Sequence, residues 1–151
     1  MLNEYELDEF DRKILKEYLN DARASSREIA RGIGVSVSTV LARTRKMEKN
    51  GVIKGYTVMI DHEKLGYQLT AITEVIVSKG KLLEVEKEIA KMPVTCAVYD
   101  VTGEIDAVLI AKFKDRNELS TYTKMLLAIP YVERTNTHVV LTTVKEDFRL
   151  I

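Results

Sequence analysis

The spacing of apolar residues changes from helical to strand-like part-way along the chain, and this change limits the folds that the chain can adopt. Over residues 7–49 apolar side chains recur every three or four positions, as they do in amphipathic helices. From residue 68 onward, short strand-like runs alternate with two helical segments. The pattern predicts an α+β protein with a helical domain over residues 1–60, a polar connection over residues 61–67 and a mixed domain over residues 68–151.

Two short helices are predicted near the start of the chain from their capping residues. The first begins after Asp8, whose carboxylate can accept the free amides of the first turn, and it ends near Asn20. The second begins at Ser25, and Glu28 completes a capping box in which each side chain bonds the backbone amide of the other residue. Gly34 ends the second helix because glycine readily adopts the left-handed conformation of a helix terminus.

A third helix and a short β-prone segment follow directly. Ser36 caps this helix, and Asn50 and Gly51 end it. Its inward side is predicted to carry the helically spaced residues Val37, Val40, Thr44 and Met47. Residues 52–60 consist of two β-prone runs divided by a Lys-Gly pair, which favours a small hairpin packed on the third helix. The five elements together predict a winged helix-turn-helix.

Four strands and two helices are predicted in the remainder of the chain. They occur as strand 68–78, helix 82–92, strand 94–103, strand 104–113, helix 116–129 and strand 132–144. This βαββαβ order is typical of the ferredoxin-like arrangement. The runs AVLIA and VVL are apolar on both faces of their strands. Since the two helices can cover only one face of the sheet, a second subunit is the economical cover for the other face.

Positive charge is concentrated in one stretch of a chain whose formal net charge is zero. Residues 23–54 contain eight Lys and Arg against two Asp and Glu, a net charge of +6, and the sequence on both sides is acidic. The basic stretch coincides with the second and third helices, which favours a local site for a polyanion such as double-stranded DNA. Small polar residues at the start of the third helix can meet base edges in the major groove, and longer cations can reach phosphates.

The candidate DNA contacts lie on the second helix, on the third helix and just after it. They are Ser25, Ser26, Arg27, Ser36, Ser38, Thr39, Ala42, Arg43, Arg45, Lys46, Lys49 and Lys54. One alternative is a solvated basic face on a three-helix packing module, and another is a metabolite-binding interaction module whose winged helix docks protein rather than DNA. The residues favour DNA because the excess of positive charge coincides with the third helix, which would be the helix that enters the major groove.

A turn in the mixed domain is the second candidate site. It comprises Thr102, Gly103, Glu104, Ile105 and Asp106. Asp106 opens an otherwise apolar strand, and a carboxylate there needs a cation or hydrogen-bond donors, which the ammonium group of a ligand would supply. A hairpin turn whose Asp106 pairs with a nearby Lys or Arg explains the same residues equally well. Thr135 and Thr137 on the last strand are explained by β propensity or by lining a pocket.

Several classes of function lack the residues that they need. Cys96 is the only cysteine, so no intrachain disulfide is possible, and it is expected to be a buried small apolar side chain. The sequence has no metal-ligand cluster, no phosphate-binding Gly-rich loop and no nucleophile elbow, so neither an enzyme nor a cofactor is predicted. The acidic N-terminus lacks an apolar run, and no apolar stretch reaches about 20 residues, which predicts a cytoplasmic protein without membrane association.

The run from LDEFDRKILK to GYTVMID, residues 7–61, resembles the Lrp/AsnC (leucine-responsive, feast/famine) family of transcription regulators. The likeness continues through the LGY and VTGEID motifs to the closing THVVLTTVKE. It implies a homodimer that binds double-stranded DNA through the winged helix and assembles into tetramers, octamers or higher rings. It also implies that an amino acid or similar small molecule binds near the turn, at contacts between dimers. Asp106 would hold its amino group, residues 102–105 would supply backbone contacts, and Thr135 and Thr137 would line the pocket.

Overall fold

The computed structural model describes residues 5–78 and 80–151. Contacts divide the chain into a first unit, Met1–Ile60 with Glu146–Ile151, and a second unit, Asp61–Lys145. Within these described residues, the first unit contains three helices, and the second contains a four-stranded antiparallel sheet with two helices. The predicted α+β class is therefore confirmed.

The helices of the first unit begin at the predicted capping residues. They are α1 (Glu9–Asn20), α2 (Ser26–Ile33) and α3 (Val37–Lys49). Asp8, Ser25 and Ser36 each accept the backbone amide three residues further on, and the first two belong to complete capping boxes. Gly34 ends α2 at a φ of 73°, a left-handed conformation that glycine adopts at little cost.

A small apolar core holds the three helices together. Its members with 1% exposure or less are Ile14, Ile29, Val40 and Met47. Burial of an aliphatic side chain of this size contributes roughly 1.5–3 kcal/mol relative to its exposure. Val37, which was expected on the inward side of α3, is instead 39% exposed. It is the first residue of the helix and lies at the edge of the stripe that Val40 and Met47 bury.

The hairpin expected over residues 52–60 is not formed. The structure assigns no strand to these residues, and in the described chain no backbone–backbone hydrogen bond involves residues 54–60. The amides of Val52 and Ile53 donate to the carbonyl oxygen of Met47, at 2.9 and 3.2 Å, and so close the end of α3 instead of starting a strand. The apolar run that follows, Val58, Met59 and Ile60, is left exposed.

The second unit has the predicted βαββαβ order. Its elements are β1 (Leu69–Val77), α4 (Leu82–Ala90), β2 (Thr95–Asp100), β3 (Ala107–Phe113), α5 (Arg116–Ala128) and β4 (Val132–Val139). The strands lie in the order β2-β3-β1-β4, and every neighbouring pair is antiparallel. This is the ferredoxin-like topology, so the predicted fold of the mixed domain is confirmed.

The two faces of this sheet differ in what covers them. Alternate residues of β1 and β3 pack against α4 and α5; the buried members of this core include Ala71, Val75, Leu109, Phe113, Ile89 and Leu126. The intervening residues lie on the other face, where Ile72 is 37% exposed and pairs in register with Ile110. This open face also carries a polar group, in which the Asn136 amide nitrogen donates to Glu74 Oε2 at 3.0 Å and lies 3.1 Å from His138 Nε2.

Cys96 lies on strand β2, at the edge of the sheet. It was expected to be buried, but it is exposed. The register of β2 with β3 shifts between Thr95 and Ala97, and the extra residue of this bulge is Cys96. A bulged residue loses the regular alternation of a strand, which is why its burial was not predictable from the pattern.

Candidate nucleic-acid interface and ligand-binding turn

Helix α3 buries one side and leaves the opposite side open. Val40 and Met47 are completely buried, whereas the far side carries the exposed residues Ser38, Ala42, Arg45, Lys46 and Lys49. Within residues 5–78 and 80–151, neither Arg45 nor Lys49 forms a hydrogen bond or an ion pair through its side chain. These two cations are therefore available for an anionic partner.

The N-terminus of α3 presents a group of hydroxyls. Ser36 Oγ lies 2.8 Å from Ser38 Oγ and 2.7 Å from Thr39 Oγ1, and it accepts the Thr39 amide at 3.0 Å. Each hydroxyl can donate one hydrogen bond and accept two, so the group retains capacity for polar atoms of a partner. Two of its members, Ser36 and Ser38, are exposed.

Arg43, a predicted DNA contact, is engaged within the first unit instead. Its guanidinium Nη1 lies 2.6 Å from Asp8 Oδ2 and 2.8 Å from Asp11 Oδ1, and the guanidinium carbon lies 5.6 Å from the centre of the Phe10 ring. Hydrogen bonds from the Asp11 amide and then from Arg43 hold the pKa of Asp8 below its usual value. Arg43 thus fastens α3 to the start of α1.

Asp11 is the centre of this network and was not singled out from the sequence. Its side chain is 3% exposed, and besides Arg43 it accepts the Tyr5 hydroxyl at 2.8 Å and the Asp8 amide at 3.3 Å. Burial, followed by the hydrogen bond to Asp11, raises the pKa of Tyr5 to about 12. The Lys46 ammonium group lies 4.7 Å from the centre of the Tyr5 ring, a cation–π contact that links α3 to Tyr5.

The N-terminus of α2 is only partly available to a phosphate. The Ser25 amide and hydroxyl both donate to Glu28 Oε2, at 2.8 and 2.7 Å. These hydrogen bonds lower the pKa of Glu28. Because its carboxylate accepts both donors of Ser25, it occupies the position that a phosphate would take at this cap. Ser26 and Arg27 are not engaged in this capping box, and Lys54 is exposed after α3.

The turn between β2 and β3 is held to β1 by the backbone and by Asp106. The Asp106 amide donates to the Val75 carbonyl at 3.0 Å, and Asp106 Oδ2 accepts the Val77 amide at 2.7 Å, where the register of β1 with β4 shifts. Gly103 has a φ of 126°, which side-chain-bearing residues rarely adopt. In the described part of the chain Asp106 Oδ1 accepts no hydrogen bond, so one carboxylate oxygen is fixed and the other remains open.

The structure places the two candidate threonines away from this turn. Ala107, which follows Asp106, pairs with Val75, and Val75 pairs on its other side with Thr135. Two strand spacings therefore separate Thr135 from the start of β3, a distance of about 9.6 Å. Thr137 Oγ1 lies 3.1 Å from the hydroxyl of Thr73 on β1. Within one chain the predicted effector residues thus form two groups with β1 between them.

The described residues offer neither a metal site nor a membrane-spanning helix. In residues 5–78 and 80–151, no three His, Cys, Asp or Glu side chains are grouped so that they could hold a metal ion. None of the helices in these same ranges combines the length and apolar character that a membrane span requires.

Models of two protein families match the chain over its helical and mixed regions. Residues 7–54 match a winged helix-turn-helix DNA-binding model, and residues 70–150, more than half of the chain, match the Lrp/AsnC ligand-binding domain. The chain belongs to the Lrp/AsnC family. The resemblance seen in the sequence is therefore confirmed, and the helix-turn-helix and the α+β domain are those of Lrp/AsnC transcriptional regulators.

Related proteins of the Lrp/AsnC family match over almost their whole length. An HTH-type transcriptional regulator of Pyrococcus furiosus is 48% identical over 145 residues, which cover 96% of this chain and 98% of that protein. The HTH-type transcriptional regulator FL11 of Pyrococcus horikoshii is 42% identical over 144 residues, 95% of each chain. The chain is accordingly an HTH-type transcriptional regulator by family.

Solved structures with the same fold include two named regulators. The Neisseria meningitidis transcriptional regulator NMB0573, determined as a complex with L-Met, superposes with a TM-score of 0.89 at 26% identity over 97% of each chain. AsnC of E. coli superposes with a TM-score of 0.89 at 22% identity, over 97% of this chain and 100% of AsnC, which shows the shared fold.

Proposed function

We propose that this Lrp/AsnC regulator recognises specific DNA sequences through α3, and that an amino acid or a related small metabolite modulates it by changing its assembly. The observation that carries the proposal is the open side of α3, where Arg45 and Lys49 have no intramolecular partner among the described residues while the opposite side is locked in the core. Cations held on a rigid helix beside small polar residues match the phosphates and base edges of a major groove.

The proposed DNA contacts fall into two groups according to the length of their side chains. Ser36, Ser38, Thr39 and Ala42 are short and lie in the first half of α3 or at its cap, which suits base edges. Arg45, Lys46, Lys49 and Lys54 follow and suit phosphates, with Ser26 and Arg27 at the start of α2 as additional phosphate contacts. Arg43 and Ser25 are assigned positioning roles because their polar groups are engaged inside the first unit. The proposal keeps residues 1–60 as the DNA-binding part and residues 68–151 as the part for association and sensing.

Selection from random duplexes tests this function directly. The full-length protein would be incubated at low ionic strength with a pool of randomised duplexes, and the recovered sequences would be compared over successive rounds. We expect enrichment of a two-fold symmetric site whose half-sites are about 10–10.5 base pairs apart, or a multiple of that spacing. Recovery of unrelated sequences, with the same affinity for every duplex, would contradict sequence-specific binding. Retention of a protein partner without DNA binding would favour the alternative of an interaction module.

The effector part of the proposal is supported by Asp106 and by the L-Met complex of the Neisseria meningitidis relative. The open oxygen of Asp106 suits an ammonium group, and the exposed turn residues Thr102, Gly103 and Glu104 carry backbone groups that suit a carboxylate. Because the threonines of β4 are separated from Asp106 by β1, we propose that a neighbouring subunit completes the pocket. Ligand binding would then favour one assembly over another.

Asp106→Ala is expected to abolish any change in particle size that an amino acid causes. The substitution removes the carboxylate proposed to hold the ligand amino group, and it leaves the Asp106 and Val101 backbone hydrogen bonds in place. Analytical ultracentrifugation with and without each of the 20 amino acids would measure the effect. Glu88→Ala, which removes an exposed carboxylate of α4 outside the turn, is the control and should retain the response. A response in Asp106→Ala equal to that of the original protein would refute this role.

Association of subunits is proposed to use the open face of the sheet. The face carries Ile72 and Ile110 beside the hydrogen-bonded polar group of Glu74, Asn136 and His138. The two isoleucines favour burial of this face against a partner. Ile72→Glu should therefore reduce the association constant of the dimer by at least about 100-fold, because the new carboxylate would be buried between subunits without a cation or hydrogen-bond donor. Sedimentation across a range of concentrations would measure it. Leu83→Glu, at an exposed leucine of α4, is the control and should leave association unchanged.

A further inference from the structure

Leu41 is an exposed apolar side chain in the middle of α3, among polar residues. Leu41 is 40% exposed although it lies in the interior of the helix, directly before Ala42 and one turn from Ser38 and Arg45. The neighbouring Val40 is completely buried, so the helix satisfies its core without Leu41. Leucine at this position exposes apolar surface to water on the side of α3 that carries Arg45 and Lys49.

The base edges of a major groove offer one apolar group, which is the C5 methyl of thymine. Hydroxyl and guanidinium groups suit the remaining atoms of the groove, which are hydrogen-bond donors and acceptors. In the middle of α3, Leu41 and Ala42 are therefore the side chains that match thymine, while Ser38 and Arg45 match polar edges or phosphates. An apolar protein partner fits less well because Arg45 and Lys49, one and two turns further along the helix, place positive charge on the same side as Leu41.

We propose that Leu41, with Ala42 beside it, contacts the methyl groups of thymines in the bound duplex and is a specificity-determining residue of this regulator. The inference rests on the proposed DNA-binding function and deepens it, because it names the base type that the middle of α3 recognises. Each buried methyl contributes about fourfold in affinity. The contacted positions of each half-site therefore require A·T pairs in a fixed orientation.

Substitution of thymine by deoxyuridine tests the contact, because deoxyuridine lacks the methyl group and keeps every hydrogen-bonding atom. A duplex recovered by selection with the original protein would be synthesised with each thymine replaced in turn, and dissociation constants would be measured. We expect a loss of about fourfold at one or two positions of each half-site. Leu41→Ala should bind the unmodified duplex about five- to tenfold more weakly and should show no further loss at those positions.

Two controls separate this contact from folding and from the parent proposal. Leu83→Ala, an exposed leucine on α4, should retain the full sensitivity to deoxyuridine, and circular dichroism should show native helix content in both variants. If deoxyuridine weakens the original protein and Leu41→Ala equally, or weakens neither, the thymine contact is overturned while DNA binding stands. If selection enriches no sequence, both proposals fail.

Discussion

Replacing Asp11 by alanine is expected to destabilise the first unit by about 3 kcal/mol, because it breaks a buried ion pair and leaves polar partners unsatisfied. The carboxylate is buried and accepts hydrogen bonds from Arg43, Tyr5 and the Asp8 amide. Its loss leaves the Tyr5 hydroxyl without this acceptor, removes half of the α1 capping box and leaves Arg43 with one carboxylate instead of two. Urea unfolding followed by circular dichroism would measure the change.

Glu9→Ala is the matched control for that experiment. Glu9 is an acidic residue in the same first turn of α1, and its ion pair with Lys13 lies on the surface, where its side chain is 77% exposed. Exposed pairs of this type contribute less than about 1 kcal/mol. Equal destabilisation by the two substitutions would show that Asp11 acts only as a first-turn acid and not as the anchor of Arg43.

The double variant Arg45→Ala and Lys46→Ala is expected to lose about 100-fold in affinity for a selected duplex near 0.1 M salt. Both cations lie on the open side of α3, where the proposed function places them against phosphates. The logarithm of affinity should also fall less steeply with the logarithm of salt concentration, by about 0.9 for each phosphate that the variant no longer neutralises. Fluorescence anisotropy of a labelled duplex over a series of salt concentrations would measure both quantities.

The control for charge alone is the double variant Arg116→Ala and Lys124→Ala. It removes the same two positive charges from the exposed surface of α5 in the second unit. Affinity and salt dependence should then change by less than about twofold, since the proposed phosphate contacts all lie on the first unit. Unchanged DNA binding in the α3 variant, or equal losses in both variants, would refute the placement of α3 in the groove.

The helices were predictable from the sequence because the residues that begin and end each helix lie within or next to it. Ser25 and Glu28 are three positions apart, and their capping box depends on nothing outside that turn. The link between Arg43 and Asp11 joins residues 32 positions apart, and only the packing of α3 against α1 brings them together. Spacing on a single helix therefore placed Arg43 on the flank of α3 as a candidate DNA contact, and it could not predict the ion pairs with Asp8 and Asp11.

Two further features depended on partners that a linear pattern does not specify. Residues 52–60 have β propensity, but a strand also needs an opposite strand, and in the described residues none pairs with them. Thr135 and Asp106 are separated by β1 because of the order of strands in the sheet. The sequence predicted the helices of the first unit and the helices, strands and topology of the second, but it predicted strands over residues 52–60 that the structure does not form.

The anchoring of α3 has a consequence for the kinetics of DNA recognition. Val40, Met47 and the Arg43 link already fix the helix in the free protein. Encounter with a duplex then involves no coupled folding of this element, and the conformational entropy of its backbone has been lost before the complex forms. Association should accordingly be governed by electrostatic attraction and by the rate of collisions, and the heat-capacity change on binding should reflect surface contact alone.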